Sequence, residues 1–455
     1  MQTSILLILH ILIIDFRSIS ALRKLHTDLT SIYFIGDLHG DASCAKQWVE
    51  KTNLVNLTST PYQFLGNPRT DAIVFLGDYV DKGSSSASVL TFVRELQETF
   101  PENVVTMLGN HDFFLILDTA FSFSKTNPHP LGQPMYDSTY AFVHPEEYIE
   151  SGWSPNRDDD EEIIISILSA LQYIYELDMH GEMHLCAPNC TANQVDLFEN
   201  VPPFNRDEGN LKERAVERLF LWRKEYASGL FDSGLLQWLT KQPLVAIVGD
   251  ALVVHGGVSN RLLNHLENTV MIKEKIGSLA DVVHSATNVP FSAFFEEQFK
   301  NVYGANKIEE RLTENHALEL ILDMVQHRGY FDSKVGCKEV NNVLGKFNDQ
   351  NLERIVVGHT PHDYALELCE GKLLASDSSL SRSYRAHGNM YCPLNEKLGE
   401  YKIGQACSAN PNEFCEGSIS RIHRASPADD WPTNMQIFKF DELLSPPSTS
   451  NQDEL

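Results

Sequence analysis

Five short apolar runs punctuate the chain, and each ends on glycine or histidine. Ile32-Tyr33-Phe34-Ile35 runs into Gly36-Asp37-Leu38-His39-Gly40, and Ala72-Ile73-Val74-Phe75-Leu76 into Gly77-Asp78-Tyr79-Val80-Asp81-Lys82-Gly83. Val104-Val105-Thr106-Met107-Leu108 precedes Gly109-Asn110-His111-Asp112, Leu252-Val253-Val254 precedes His255-Gly256-Gly257, and Ile355-Val356-Val357 precedes Gly358-His359-Thr360. Continuous runs rich in β-branched residues predict strands buried on both faces. A glycine behind a strand lets the chain turn sharply or approach a ligand. Between the early runs, Ser84 to Phe100 carries apolar residues at helical spacing, at Val89, Leu90, Phe92, Val93, Leu96 and Phe100, with Pro101 beyond. Strand and helix therefore alternate, which predicts a layered α/β core.

Spacing exposes an insertion. Asp37 and Asp78 lie 41 positions apart and Asp78 and His111 33, whereas 144 separate His111 from His255. A single crossover does not need that length. The excess, about 119–241, holds the acidic run Asp158 to Glu162, followed by helical patterns at Ile163 to Leu177 and Leu211 to Leu239. A mostly helical insertion or cap is expected, with a further helix around Leu312 to Val325. No internal repeat of fixed period is present.

The strand-end residues carry the chemistry. In open α/β sheets, sites form beyond the carboxyl ends of the strands, so Asp37, His39, Asp78, Asn110, His255 and His359 are expected at one edge. Oxygen and nitrogen ligands without thiolate suit Mn, Fe or Zn. Six such side chains exceed one tetrahedral site, and an Asp carboxylate can bridge two ions. A metal pair is suited to hydrolysing phosphate esters.

These motifs, in this order, resemble the calcineurin-like metallophosphoesterase superfamily, and within it the phosphoprotein phosphatase branch. His327-Arg328-Gly329-Tyr330-Phe331 and Ala375-Ser376-Asp377, leading to Leu380-Ser381, resemble the Shewanella-like phosphatases. The resemblance runs in islands from about residue 31 to 385. It implies an α/β (α+β) fold, a metallophosphoesterase β-sandwich flanked by helices, with a catalytic domain over 30–390. It implies that Asp37, His39 and Asp78 bind one divalent metal, with Asp78 bridging, and that Asn110, His255 and His359 complete the second. His111 would be the general acid, Asp81 its orienting partner, and Arg328 and Lys82 phosphate-binding groups. The implied reaction is hydrolysis of phosphate monoesters, on phosphorylated proteins or small phosphoesters, by in-line attack of a metal-bridging hydroxide. Two alternatives stand beside it: a nucleotide or dinucleoside polyphosphate hydrolase, and a non-catalytic metal-containing binding protein. The chain departs from the family at Lys82, where Arg is usual, at Asp112, where Glu is usual, and at Gln326, where the subgroup tends to have an aromatic nearby.

Composition narrows the setting. The 455 residues are 42% apolar and 22% charged, ordinary for a folded protein. A formal net charge of -26 argues against nucleic acid as a partner. The apolar run Ile5 to Ile14 is too short to span a bilayer, and with Ser18, Ser20 and Ala21 behind it predicts a signal peptide over 1–21; a short buried strand is the other reading. Residues 391–441 form a Cys-containing extension with a final strand. Residues 442–455 form a flexible tail ending Gln452-Asp453-Glu454-Leu455, similar to the Lys-Asp-Glu-Leu retrieval signal and so a candidate for a retrieval receptor. An endoplasmic reticulum lumen or secreted location follows, and eight cysteines then predict disulfides. Cys186 and Cys190 lie close together, as do Cys392, Cys407 and Cys415. Cys44 shares a helical face with Ala45, Trp48 and Val49 and is expected to be a buried thiol. Asn56-Leu57-Thr58 and Asn189-Cys190-Thr191 are glycosylation acceptors. His180, His184, Cys186 and Cys190 offer a weaker zinc alternative.

Overall fold

The computed structural model describes residues 24–25, 28–121, 143–153 except Pro145, 162–169, 211–267, 316–347, 351–387, 390–395, 400–404, 415–429 except 427–428, and 436–439. The amino-terminal run, the carboxyl-terminal tail, the 158–161 acidic stretch, the 180–190 His/Cys segment and Asn189 lie outside them.

Eleven of the described strands build two sheets. One holds β2 (Ser31–Ile35), β5 (Asp71–Phe75) and β6 (Val104–Thr106) in parallel; β14 (Ser418–His423) is antiparallel to β2, and β15 (Gln436–Lys439) is antiparallel to β14. The other runs in the order β1 (Lys24–Leu25), β7 (Val245–Val248), β8 (Ala251–Val254), β9 (Arg354–Val357), β11 (Leu373–Ala375), β10 (Leu366–Leu368). In it β8, β9 and β11 are parallel, and β7 and β10 run against their neighbours β8 and β11. Two ribbons stand apart, β3 (Val55–Asn56) with β4 (Gln63–Phe64) and β12 (Met390–Asn395) with β13 (Glu400–Gly404).

The period of two explains why the Ile32-Tyr33-Phe34-Ile35 run of β2 is apolar on both faces. Ile32 and Phe34 of β2 point between the sheets, into a cluster with Ala72, Val74 and Val105 and with Val253, Val356 and Leu374 of the opposite sheet. Tyr33 and Ile35 point outward, into a second cluster with Trp48 and Val49 of α1 (Ala42–Lys51) and Val89 and Val93 of α2 (Ser86–Thr99). Each strand face is dry, so neither position tolerates a polar residue. The fold is an α/β sandwich of two mixed sheets flanked by helices.

The helices follow their sequence signals with shifted ends. The predicted helix over Ser84 to Phe100 is α2, which starts at Ser86. Its N-cap, Ser85, makes no side-chain cap bond. The Glu147 carboxylate, far along the chain, accepts from Ser86 N–H at 2.7 Å and Ala87 N–H at 2.9 Å instead. Beyond α3 (Asn110–Phe121), the described parts of the insertion are helical: α4 (Glu147–Glu150), residues 162–169, α5 (Leu211–Asp232) and α6 (Leu235–Leu239). The predicted Leu312 to Val325 helix spans His316–Val325 where described.

One expectation is corrected. Cys44 is buried on the apolar face of α1, but it is not a thiol: it is bonded to Cys415, 371 positions away, so Cys415 does not pair within the carboxyl-terminal cysteine group. A second disulfide joins Cys337 and Cys369. Asn56 is half-buried at the end of β3, its Oδ1 accepting from Thr58 N–H and hydroxyl. Among the described residues no helix is long and apolar enough to cross a membrane.

Candidate metal centre

Parallel pairing puts the carboxyl ends of β2, β5 and β6 side by side, and likewise those of β8 and β9 in the facing sheet. The loops behind them therefore converge. Close packing decides where glycine is obligatory. A Cβ at Gly109 would lie 2.1 Å from Asp78 Oδ1, and one at Gly358 2.6 Å from Asp37 Oδ1. Backbone strain gathers in the same loops: His39, Asp78, Asp81, Lys82 and His359 have positive φ of 40°, 52°, 71°, 66° and 64°. Such conformations cost roughly 1–3 kcal/mol each and persist where surrounding bonds dictate them.

Those bonds are present. Asp112, wholly buried at the start of α3, accepts from Asp78 N–H at 2.8 Å and Gly109 N–H at 3.0 Å through one oxygen, and from Tyr79 N–H at 2.9 Å through the other. Asp78 Oδ1 then accepts His111 N–H at 2.8 Å. His39 Nδ1 lies 3.1 Å from Val80 O, and His255 Nδ1 2.7 Å from Leu76 O. Each ring donates from Nδ1 to a carbonyl, which leaves Nε2 with its lone pair aimed inward.

Asp78 lies at the centre. Candidate ligand atoms of His39, Asp78 and His111 lie within 4.8 Å of one another, and so do those of Asp78, His255 and His359. Asn110 Oδ1 is 3.0 Å from His255 Nε2 and 2.7 Å from His359 Nδ1. Asp37 is joined to this group by His359 N–H, which donates to its Oδ2 at 3.1 Å. All six strand-end residues are thus brought together, and His111 with them.

The donor set fits divalent cations. His255 Nε2 faces two acceptors, Asp78 Oδ1 at 3.4 Å and Asn110 Oδ1 at 3.0 Å, so only a proton or a metal between them reconciles the three. Asp37 Oδ1 is buried with no hydrogen-bond partner. Burial, then the nearby Asp377 and Asp78 carboxylates, push the Asp37 carboxyl well up from the ordinary range. Burial brings His39 down to about 3, with His111 adding to the effect. Burial, then the Arg328 guanidinium, hold His359 well below its usual value. Neutral imidazoles and a carboxyl awaiting positive charge are what a metal ligand set requires.

The remaining predicted residues sit around this centre. His111 Nδ1 is 2.8 Å from Asp81 Oδ2, and Lys82 Nζ is 3.1 Å from the same oxygen. Burial opposes ionisation of Asp81, yet Lys82 and His111 hold its carboxyl down at about 2. The His111 side chain is 17% exposed, against 4% for His39 and 0% for His255, so His111 alone of these three reaches solvent appreciably. Arg328 is exposed at the rim and donates from Nε to His359 Nε2 at 3.1 Å.

Sequence reasoning assigned no role to three neighbours. Asp377, beside Asp37, is a buried carboxyl raised to about 6 by burial. It directly follows Ala375-Ser376 at the end of β11, so the strand-end rule applied once more would have found it. Tyr384 stacks on His39, ring centroids 4.9 Å apart and planes 10° apart, and no local signal marks it. Asp112 stood out only as a departure at a motif position.

Comparison with known proteins agrees with this geometry. Residues 30–182 match the family described as Calcineurin-like phosphoesterase. A symmetrical bis(5'-nucleosyl)-tetraphosphatase of Haemophilus influenzae is 27% identical over 182 residues, 36% of this chain and 58% of that protein. The serine/threonine-protein phosphatase 2B catalytic subunit A2 of Saccharomyces cerevisiae is 29% identical over 102 residues, 22% of this chain and 15% of that one. The chain thus spans little more than half the length of the tetraphosphatase. Among solved structures, a cold-active protein-tyrosine phosphatase of a psychrophilic Shewanella species aligns with a TM-score of 0.41 at 16% identity, over 84% of this chain and 83% of that one. Residues 30–182, which hold Asp37, His39, Asp78, Asn110 and His111, thus match the calcineurin-like phosphoesterases, and the converging Asp/His/Asn side chains lie where that match places the strand-end motifs.

Proposed function

We propose that the protein hydrolyses phosphate monoesters and that its substrates are phosphorylated proteins. The observation that carries this reading is the single Asp78 carboxylate common to both candidate ligand groups. Asp37, His39 and Asp78 would hold one divalent ion, and Asp78, Asn110, His255 and His359 the other, from among Mn, Fe and Zn. Bound there, the ions supply an acidified water and neutralise charge on phosphoryl oxygens.

The chain's own residues do the rest. Asp81 fixes His111 through Nδ1, and Nε2, 3.9 Å from Asp78 Oδ2, faces the candidate metal centre, where it would give its proton to the leaving oxygen. The Asp81 carboxylate, held low by Lys82 and His111, keeps that imidazole oriented. Lys82 and Arg328 flank the entrance as cations for the phosphate. Lys82 shares Asp81 Oδ2 with His111, a point contact that the bidentate fork of an arginine would not reproduce. The two disulfides fit an oxidising compartment of the secretory pathway.

The similarity to tetraphosphatases favours a second reading, cleavage of dinucleoside polyphosphates. Phosphate release from phosphopeptides and nucleotide products (ADP, ATP, AMP) from the dinucleotide, both measured on Mn-loaded protein with Asp78→Asn as the blank, separate the two. Phosphoserine, phosphothreonine and phosphotyrosine peptides are compared with diadenosine tetraphosphate. Turnover of phosphopeptides, abolished in Asp78→Asn, is expected. Preference for the dinucleotide moves the protein to the anhydride hydrolases, and silence on every substrate with metal bound leaves it a binding protein.

A further inference from the structure

The insertion reaches the start of α2, beside the catalytic loops, through the Glu147 side chain. Glu147, 1% exposed, lies in α4 between β6 and β7. Both its oxygens are used: Oε2 by Ser86 N–H, and Oε1 by Ala87 N–H and by the Tyr226 hydroxyl of α5 at 3.3 Å. Aromatic packing fixes its seat, with Tyr148 and Trp153 against Tyr226 at ring centroid distances of 5.6 and 5.3 Å. A helix normally satisfies its first N–H groups with its own N-cap side chain. Here Ser85 makes no such bond, and the task falls to a residue 61 positions away.

What α2 carries at that end makes this consequential. Ser86 Oγ accepts Asp81 N–H at 3.1 Å. Asp81 and Lys82 both have positive φ, so their loop relaxes unless it is held from outside. Ser85 N–H donates to Gly40 O at 2.9 Å and Gly83 N–H to His39 O at 3.0 Å, which lays the same loop on the His39 turn. Asp81 then grips His111 at 2.8 Å. An unbroken series of contacts runs from Glu147 through Ser86 and Asp81 to His111.

We infer that Glu147 is a positioning residue: through Ser86 and Asp81 it sets the orientation of His111, and this is how the insertion acts on the reaction. The inference rests on the reading of His111 as the proton donor to the leaving group. Glu147 touches neither substrate nor metal. Its removal should impair proton donation and little else.

Leaving-group dependence tests this, because proton donation matters for an alkoxide and hardly at all for p-nitrophenolate. Glu147→Gln, Ser86→Ala and His111→Asn are each assayed, Mn-loaded and with metal content measured, on a phosphoserine peptide and on p-nitrophenyl phosphate. General acids contribute typically 10²- to 10⁴-fold, so misalignment short of removal should cost about 10-fold. Glu147→Gln and Ser86→Ala should each lower kcat on the phosphopeptide by about that factor and on p-nitrophenyl phosphate by less than about 3-fold, with His111→Asn showing a larger split. Equal losses on both substrates, or none on either, would show Glu147 to be a structural cap alone and overturn the inference. If His111→Asn itself shows no split, the acid is wrongly assigned, and the reading of the mechanism fails with the relay. If His111→Asn splits and the other two do not, only the relay fails. Ser86→Ala retains both backbone N–H groups that bind Glu147, so it decides the matter alone if Glu147→Gln does not fold.

Discussion

Asp112 holds three backbone N–H groups with two oxygens, and those N–H groups belong to the residue that both metal clusters share and to its neighbours. A residue adjoining His111 thereby governs the conformation of a loop 34 positions earlier. Truncation to alanine would leave three buried donors unsatisfied, at about 1–3 kcal/mol each, and would release Asp78 from its strained φ. Asp112→Ala is therefore expected to weaken Mn binding by about 10- to 100-fold, the usual consequence of losing a group that orients a ligand. Asp112→Glu should restore much of it, since the longer carboxylate keeps both acceptors. Titration of the metal-free proteins with Mn measures this directly. Wild-type affinity in the alanine variant would show that the Asp78 loop holds its shape without help.

At the scale of elements, the legible part of the molecule was local. Each strand-end motif is written within about ten consecutive residues, so apolar run, glycine and ligand were read together, and parallel pairing did the gathering. The illegible part was carried by contacts between remote segments. The period of α1 showed that Cys44 is buried beside Trp48, but a bond to Cys415 leaves no trace in that period. At the start of α2 the cap is not the neighbouring Ser85 but the remote Glu147. Asp41, the N-cap of α1, accepts Cys44 N–H at 3.1 Å and is gripped by both Nε and Nη2 of Arg382, at 2.8 and 2.9 Å, from α10 (Arg382–His387). (The intervening helices are α7, Asn260–Glu267; α8, His316–Val325; and α9, Gly336–Lys346.) The start of α1 is thus tied to two late segments, just beyond Asp37 and His39. Closing so long a loop predicts that Cys44→Ala/Cys415→Ala loses about 2–5 kcal/mol of stability. Urea unfolding of the oxidised wild type and the double variant reads this out, and coincident curves would show that the crosslink contributes nothing.

Across the whole molecule, charge links metal, pH and stability. The chain carries a formal net charge of -26, and it concentrates buried carboxyls where the motifs meet. Divalent ions bound there would offset that concentration and, binding the folded form alone, would stabilise it by about 2.7 kcal/mol at a hundredfold excess over Kd. Chelation should therefore lower Tm as well as stop turnover, with Mn restoring both. Away from the metal centre, burial raises Glu147 to about 7 and Asp250 to about 6, the latter despite its Arg354 partner. For an acid raised on folding, the native state binds more protons than the unfolded one, so stability falls with rising pH. The contribution is fully present below about pH 4, the ordinary carboxyl range, and is lost as pH climbs through 6 and 7. Denaturant unfolding of the metal-loaded protein between pH 5 and 7.5 should show a decline on the order of 1–3 kcal/mol from Glu147. Glu147→Gln, which cannot ionise, should flatten that slope, whereas Ser86→Ala should leave it intact. Both variants are expected to share a leaving-group defect, so separating them by pH tells a shared role in positioning from a private role in titration. A slope unchanged in Glu147→Gln would mean that the carboxylate is ionised in its seat, held so by the two N–H groups of α2.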